Sequence, residues 1–289
     1  MFSPRAALLA ALLALAGCSG NLTPHWGNPG GLAPRLAIPL AVRLAVPPPA
    51  EALLDDAASR SLATAVTEAL QAVDVPAIAT STPLPLDWRL QITAQNAGRT
   101  VKPRFEIVNA DGTAQGAIDG TPVPIQAWAE ASPDTLRAVA TQAAQPVTQM
   151  LLSVQAARAS ASPSAITTGP QRLRLIPARG APGDGNVALT SRLRTFLGNQ
   201  GFVVQDIADG AAFAVTAEVS VVATGPGTER VEIQWIVSRR DGHELGRVLQ
   251  LNEVPAGSLT RFWGDVAYVA AEQAASGVQT IIRNASTPG

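Results

Sequence analysis

Apolar and polar residues recur in the same order twice along the chain, at a spacing of about 131 residues. Each copy opens on a short alternating segment that ends near proline, at 41–48 and at 171–178, which predicts an opening or edge strand. Apolar residues at helical spacing follow, at 59–73 in the first copy and at 190–202 in the second. The repeated pattern predicts two similar domains in tandem.

Both copies also close on a helical pattern. Ala-rich stretches at 133–155 and 264–283 predict helices that lie close to a sheet, and Pro146 is expected to kink or interrupt the first of them. For the earlier helix of the first copy, Ser59 or Ser61 is available as the N-cap.

Between the two helices of each copy the pattern alternates as it does in strands. Asp111-Gly112 and Asp241-Gly242 separate the last two alternating segments, with a further glycine four residues on. Asp-Gly is a strong hairpin signal because the turn needs positive φ, which glycine adopts at little cost. The predicted strands are 87–95, 101–109 and 113–123 in the first copy and 212–223, 228–239 and 243–254 in the second.

These elements predict an α+β fold made of two tandem repeats of a small domain. Each repeat is expected to be a mostly antiparallel sheet in the order β-α-β-β-β-α, with its helices on one face. The predicted organisation is a signal peptide, a flexible tether, repeat 1, a linker and repeat 2. Their ranges are 1–17, 18–40, 41–156, 157–170 and 171–285.

The amino-terminal residues have the pattern of a targeting segment. After Arg5, residues 6–16 are an unbroken run of eleven Ala and Leu. As a helix this run is only about 16 Å long, roughly half the hydrocarbon thickness of a bilayer. The run therefore predicts a cleaved signal peptide and not a membrane span.

The residues that follow, Leu15-Ala16-Gly17-Cys18, resemble the bacterial lipobox. The resemblance implies that Cys18 is lipidated and anchors the protein to a membrane. Ser19, in a place where aspartate favours retention in the inner membrane, implies the outer membrane, with the domains in the periplasm. The alternative is an ordinary secretory signal whose cysteine is incidental.

Composition excludes several classes of function. The net charge is −1 and only 15% of residues are charged, so no basic surface field is expected to attract nucleic acid. Cys18 is the one cysteine, so neither an intrachain disulfide nor a thiolate cluster for zinc or iron–sulfur is expected.

Candidate chemistry is sparse. The chain has two histidines, His25 in the predicted tether and His243 beside the second Asp-Gly turn, and neither lies near a signature nucleophile. A metal site at Asp241, His243 and Glu244 is not expected, because residues 243 and 244 of a hairpin point to opposite faces. We therefore predict no catalytic residues, no metal site and no cofactor.

One stretch is unusually aromatic. Arg261, Phe262, Trp263 and Tyr268 cluster at the start of the last helix, where the first copy has no aromatic residue. Arg, Trp and Tyr dominate binding hot spots, so these four residues are the candidate surface for a partner protein. The simpler interpretation makes Trp263 and Phe262 a hydrophobic lid on the last helix, with Asp265 as its cap.

The element order of each half resembles small periplasmic domains of envelope lipoproteins, of the type found at the amino terminus of TolB, in CsgG and in penicillin-binding-protein activators. That resemblance implies a non-catalytic binding or assembly component of the cell envelope, with an envelope protein as partner. The alternatives are a periplasmic carrier of a lipid or small molecule, an auxiliary lipoprotein of an envelope transport system, and, more remotely, an enzyme.

Overall fold

The computed structural model describes residues 42–161 and 170–286. These two ranges, called here the first half and the second half, belong to one compact unit of the chain, Leu40–Gly289. Each half is a sheet of five or six strands that carries helices. The predicted fold class, two tandem α+β units, is confirmed.

The elements of both halves follow the predicted order, with additions. The first half contains β1 (Leu44–Val46), α1 (Asp56–Gln71), β2 (Ala77–Ala79), β3 (Trp88–Asn96), β4 (Thr100–Val108), β5 (Ala114–Asp119), β6 (Val123–Pro124), α2 (Ile125–Glu130) and α3 (Pro133–Ala161). The second half contains β7 (Arg172–Leu175), α4 (Gly185–Asn199), β8 (Val203–Gln205), β9 (Phe213–Gly225), β10 (Thr228–Arg239), β11 (Glu244–Pro255) and α5 (Gly264–Ser286).

The opening strand of each half lies inside its sheet. The strand orders are β2-β1-β3-β4-β5, with β6 beside β4, and β11-β10-β9-β7-β8. β1 is parallel to β2 and β3, and β7 is parallel to β8 and β9. The expectation of an edge strand was wrong, because the helix after each opening strand is a crossover that places a further short parallel strand outside it.

The helices cover one face of each sheet. Along β3, buried Trp88, Leu90 and Ile92 alternate with more exposed residues, and the buried ones share a core with α1 and α3. α5 and α3 bury matching positions, since each buried residue of α5 lies 131 residues after a buried residue of α3. The α5 set is Ala267, Ala270, Ala271, Ala274, Ala275, Val278 and Ile282.

The helix ends differ from the prediction in two places. Asp55, not a serine, caps α1 by accepting the N–H of Ala58 at 2.7 Å, while the buried Ser59 hydroxyl donates to the carbonyl of Pro49 at 2.9 Å. α3 runs through Pro146 as one helix, so the expected interruption does not occur.

The Asp-Gly hairpins are the same structure in both halves. Each contains a bulge, between Ile107 and Val108 and between Val237 and Ser238, which brings Gly116 and Gly246 under the closing helix. A Cβ built on Gly116 would lie 3.0 Å from the Met150 sulfur of α3. In the first half, the second glycine of the sequence pattern therefore allows strand and helix to pack closely.

Candidate functional site

The predicted partner surface lies where α5 begins, and Trp263 is its buried part. Its indole is 1% exposed, and Nε1 donates to the carbonyl of Pro182 at 2.9 Å. A Cβ built on Gly185 would lie 2.4 Å from this ring, so glycine allows α4 to approach it. Trp263 is therefore a core residue that holds α5 to α4, and it must be removed from the candidate surface.

The start of α5 is held by Asp184 and not by Asp265, the cap of the simpler interpretation. The carboxylate of Asp184 accepts the backbone N–H of Trp263 at 2.8 Å, across the contact between α4 and α5. Asp265 instead lies exposed in the first turn, where the helix dipole favours a negative charge. The start of α5 is thus fixed by a residue of another element.

Arg261, Phe262 and Tyr268 are exposed. Phe262 precedes the helix and is 76% exposed, so it is not the lid of the simpler interpretation. The ring of Tyr268 is 43% exposed and meets Phe196 of α4 edge-on, with 5.0 Å between ring centroids. The guanidinium of Arg192 lies 5.7 Å from the Tyr268 ring centroid. Both contacts hold the tyrosine in place at the surface.

The first half shows which residues the fold requires here. α3 and α5 bury the same positions, yet at the exposed ones Thr135 and Arg137 of α3 correspond to Val266 and Tyr268 of α5. Residue 131, which corresponds to Phe262, is alanine. The exposed apolar residues of α5 are therefore not needed to cover a sheet of this kind.

His243 lies at the surface beside the second hairpin turn. Its backbone N–H donates to Asp241 Oδ1 at 3.1 Å, and its carbonyl accepts the N–H of Arg239 at 2.8 Å. The guanidinium of Arg239 lowers the pKa of Asp241, and Arg247 in the same way lowers the pKa of Glu244. Among the described residues no group of three His, Cys, Asp or Glu is placed to hold a metal ion.

The Asp-Gly turn of the first half reaches the second half. The carboxylate of Asp111 accepts the backbone N–H groups of Ala208, at 2.6 Å, and of Asp209, at 3.1 Å. Arg174 of β7 lies 3.5 Å from the same carboxylate and donates to the carbonyl of Ala110 at 3.3 Å. This turn is therefore a polar anchor between the halves.

The equivalent turn of the second half reaches back to the first. A Cβ built on Gly242 would lie 2.2 Å from Nε of Arg43, the residue before β1. Arg43 is itself held by Asp87, which accepts from Nε at 3.0 Å and from Nη2 at 2.7 Å. Each turn thus contacts an arginine at the opening strand of the other half.

Between the two turns, charged side chains surround a small cluster of apolar residues. Arg158, near the end of α3, lies 4.9 Å from the Trp88 ring centroid and 3.4 Å from Asp209. Burial lowers the pKa of Arg240, which lines a cavity of about 30 Å³ here, enough for water and too small for a ligand. The apolar residues are Leu86, Ala110, Ala208, Ala211 and Ala214.

The sequence reasoning missed this junction. The Asp-Gly turns were visible, but their contacts depend on how the halves dock, which no local pattern encodes.

The amino-terminal predictions lie outside the described residues: the signal peptide, the tether with His25 and the lipidation site Cys18. Within residues 42–161 and 170–286, no helix has the length and apolar character needed to cross a bilayer.

Comparison with known proteins gives no family. No protein-family model matches the chain, and no curated protein matches it significantly. Among solved structures, the PelC dodecamer from Paraburkholderia phytofirmans aligns with 14% identity and a TM-score of 0.30, over 41% of this chain and 94% of that one. Lipoprotein GNA1162 from Neisseria meningitidis aligns with 15% identity and a TM-score of 0.25, over 41% of this chain and all (100%) of that one.

A third solved structure, the hypothetical protein CT253 from Chlamydia trachomatis, aligns with 6% identity and a TM-score of 0.26, over 39% of this chain and 96% of that one. One of these three proteins is thus described as a lipoprotein. At these identities and TM-scores the likeness carries no inference about what this chain does.

Proposed function

We propose that this chain is a lipid-anchored protein of the bacterial outer membrane that acts as a non-catalytic binding or assembly component of the envelope. Leu15-Ala16-Gly17-Cys18, after a signal-like apolar run, supports the anchor. Two or three acyl chains on Cys18 suffice for durable attachment, at about 0.8 kcal/mol per buried CH₂. The two halves then stand in the periplasm and meet a protein partner.

The observation that carries the binding role is the difference between α3 and α5. Phe262 and Tyr268 expose aromatic rings at positions where the first half has Ala131 and Arg137. An apolar ring contributes hydrophobic free energy only when it is removed from water. The exposed ring of Phe262 therefore adds little to the stability of this fold, and a partner that covered it would gain that free energy. With Arg261 these residues form what we call the α5 surface, which has the composition of a binding hot spot.

The junction supports a role in assembly. Asp111 and Gly242 contact the opposite half from two separate turns, so the halves have one orientation relative to each other. A surface on α5 is therefore presented at a defined place relative to the first half. Preorganisation of this kind reduces the entropy lost when a partner binds.

No observation favours the carrier alternative to the same degree. An open groove of about 460 Å³ lies beside the ends of α4 and α5. Polar and apolar groups contribute about equally to its lining, whereas a site for an acyl chain is lined predominantly by apolar groups. The lining residues include Gln171, Gln200, Gln279, Arg283 and Ser286.

The anchor is tested by substituting its cysteine. Cys18→Ala should abolish incorporation of a labelled fatty acid and leave the precursor unprocessed at this site, whereas Ser19→Ala should keep both. Ser19→Asp should move the protein to the inner-membrane fraction if outer-membrane sorting follows the residue after the cysteine. Acyl labelling of the Cys18→Ala chain would refute the anchor.

The α5 surface is tested by site-specific photo-crosslinking in living cells. A photoreactive phenylalanine at position 262 should capture a defined envelope protein, and the same probe at Val222, which is 56% exposed on β9, serves as the matched control. Tyr268→Arg, which installs the first-half residue, should reduce the adduct at position 262. Equal adducts from both positions, or no effect of Tyr268→Arg, would contradict the binding role.

A further inference from the structure

β11 ends its sheet, and its outer edge is unpaired among residues 42–161 and 170–286. It pairs antiparallel with β10 through an uninterrupted register from Thr228 opposite Pro255 to Val237 opposite Gly246. No other strand of the described residues pairs with it. A long unpaired edge of this kind is a template for another strand.

The hydrogen-bond pattern shows which residues of β11 point their backbone N–H and C=O groups away from β10, toward the open edge. The N–H of Ala256 donates to the carbonyl of Gly227 at 2.9 Å, and these residues continue the register of β10 and β11. Because backbone groups alternate in direction along a strand, even-numbered residues of β11 bond to β10 and odd-numbered ones face outward. Pro255, which has no N–H, is one of the outward-facing residues, so its missing donor removes no hydrogen bond between β10 and β11. The other outward residues are Arg247, Leu249, Leu251 and Glu253.

The outward residues are arranged symmetrically about Gln250. Arg247 lies three residues before it and Glu253 three residues after it, with Leu249 and Leu251 between them. We propose that a second copy of this chain pairs antiparallel with β11, in the register centred on Gln250. Arg247 then lies opposite Glu253 of the second copy, and Leu249 opposite Leu251, and each pair occurs twice.

Backbone hydrogen bonding and side-chain charge both favour this register. Outward residues meet outward residues, so four pairs that exchange two hydrogen bonds each provide about eight backbone bonds. A shift by two residues would put Arg247 opposite Leu251 or Pro255, and parallel pairing would align like charges. Opposite charges across a pair stabilise it and like charges destabilise it, so one register is favoured.

The Arg247 guanidinium has donors left for this contact. Nε and Nη2 donate to the Glu244 carboxylate, and Nη1 donates to Gln234 Oε1 at 3.0 Å. These three bonds use three of its five N–H groups. The Arg247 side chain remains 50% exposed, so a carboxylate from a second copy can reach it.

The flank of α5 above this edge is apolar and exposed. Gln273 of α5 accepts from Gln250 at 3.4 Å, which places this helix face over β11. Val266 and Val269 precede Gln273 by seven and four residues and so share its face. They are 39% and 48% exposed.

In the paired sheet these valines gain a neighbour. α5 packs on both β10 and β11, so the two copies of α5 would lie about two strand spacings apart, or about 10 Å. That separation matches helix–helix packing, and the valine flanks of the two helices would face each other. Tyr268 of the proposed α5 surface lies on the other flank, toward Phe196 of α4.

The self-association is tested by charge reversal in the purified full chain in detergent, with sedimentation velocity as the readout. The wild type should dimerise, and Arg247→Glu or Glu253→Arg should weaken the dimer by about tenfold or more, since two exposed ion pairs become repulsive. The double variant Arg247→Glu/Glu253→Arg should restore the dimer. Arg104→Glu, on the open face of the first sheet where Arg104 meets Asp119, is the matched control and should leave the dimer intact.

Leu251→Pro tests the backbone contribution, because the N–H it removes faces the edge and not β10. This variant should be monomeric with an unchanged circular dichroism spectrum. A monomeric wild type at micromolar concentration would overturn the proposal, and so would a dimer that survives both single reversals. Pairing of β11 with a strand of another protein would appear as the first of these outcomes. None of these results depends on the lipid anchor or on the α5 surface.

Discussion

Asp111 offers a direct test of the junction, because its equivalent Asp241 has a different role. Asp111→Ala removes the acceptor for two backbone N–H groups of the second half, Ala208 and Asp209, and the partner of Arg174. The Asp111 and Arg174 side chains are only 21% and 16% exposed, so solvent screens them little. Asp241 instead bonds to Arg239 and His243 within its own turn.

The expected loss follows from these contacts. A hydrogen bond to a charged group contributes about 1.5–3 kcal/mol, and water can replace part of it at a partly accessible site, so Asp111→Ala should lower the free energy of unfolding by about 2–4 kcal/mol. Asp241→Ala loses an exposed ion pair and one turn bond, for about 1 kcal/mol or less.

Urea unfolding followed by tryptophan fluorescence measures both variants. Trp88 and Trp128 report on the first half, and Trp235 and Trp263 on the second. Asp111→Ala should also separate one transition into two, since the halves then unfold with less coupling. Equal losses for Asp111→Ala and Asp241→Ala, with a single transition in each, would refute the anchoring role of Asp111.

Two further predictions concern packing and pH. Gly185→Ala should destabilise the protein by about 1–3 kcal/mol because its Cβ would overlap Trp263, whereas Gly198→Ala, on the same helix with nothing within 4 Å, should stabilise it by about 0.5–1 kcal/mol; chemical denaturation of both variants checks the signs. The pKa of Asp241 is lowered by Arg239, so the stability from this pair is present above the ordinary aspartate pKa and is lost as the pH falls through and below it. Asp241→Asn should therefore flatten the pH dependence of stability below about pH 5, measured by thermal melts; a profile identical to that of the wild type would contradict this.

Local patterns predicted most of the elements. The strands at 101–109 and 228–239 and the closing helices at 133–155 and 264–283 were predicted to within a few residues of their observed bounds, except that α3 extends to Ala161. These segments have strong periodicity because one face of each is buried. The short helix α2 was not predicted, since its one buried side chain, Trp128, is held by a distant carbonyl, that of Ala52, at 2.9 Å.

At the candidate surface, too, the sequence identified the residues but only the packing showed which of them are exposed. The sequence marked Phe262, Trp263 and Tyr268 together because they are neighbours in the chain, but exposure depends on what packs against each. Gly185 of α4 leaves room for the Trp263 ring, which is buried in the core. Phe262 precedes the helix and remains exposed. Composition identified the stretch, and only the packing of α4 on α5 separated core from surface.

The sequence by itself determined the two α+β units with their hairpins and closing helices, and it predicts a lipid anchor at Cys18. These features rest on periodicity, turn residues and a short motif, which act over a few residues. The tertiary structure decided that the opening strands lie inside their sheets, that Asp111 joins the two halves, and that the outward edge of β11 carries charges symmetric about Gln250. Each of these depends on contacts or strand register between segments distant in the chain, and residue order alone does not specify them.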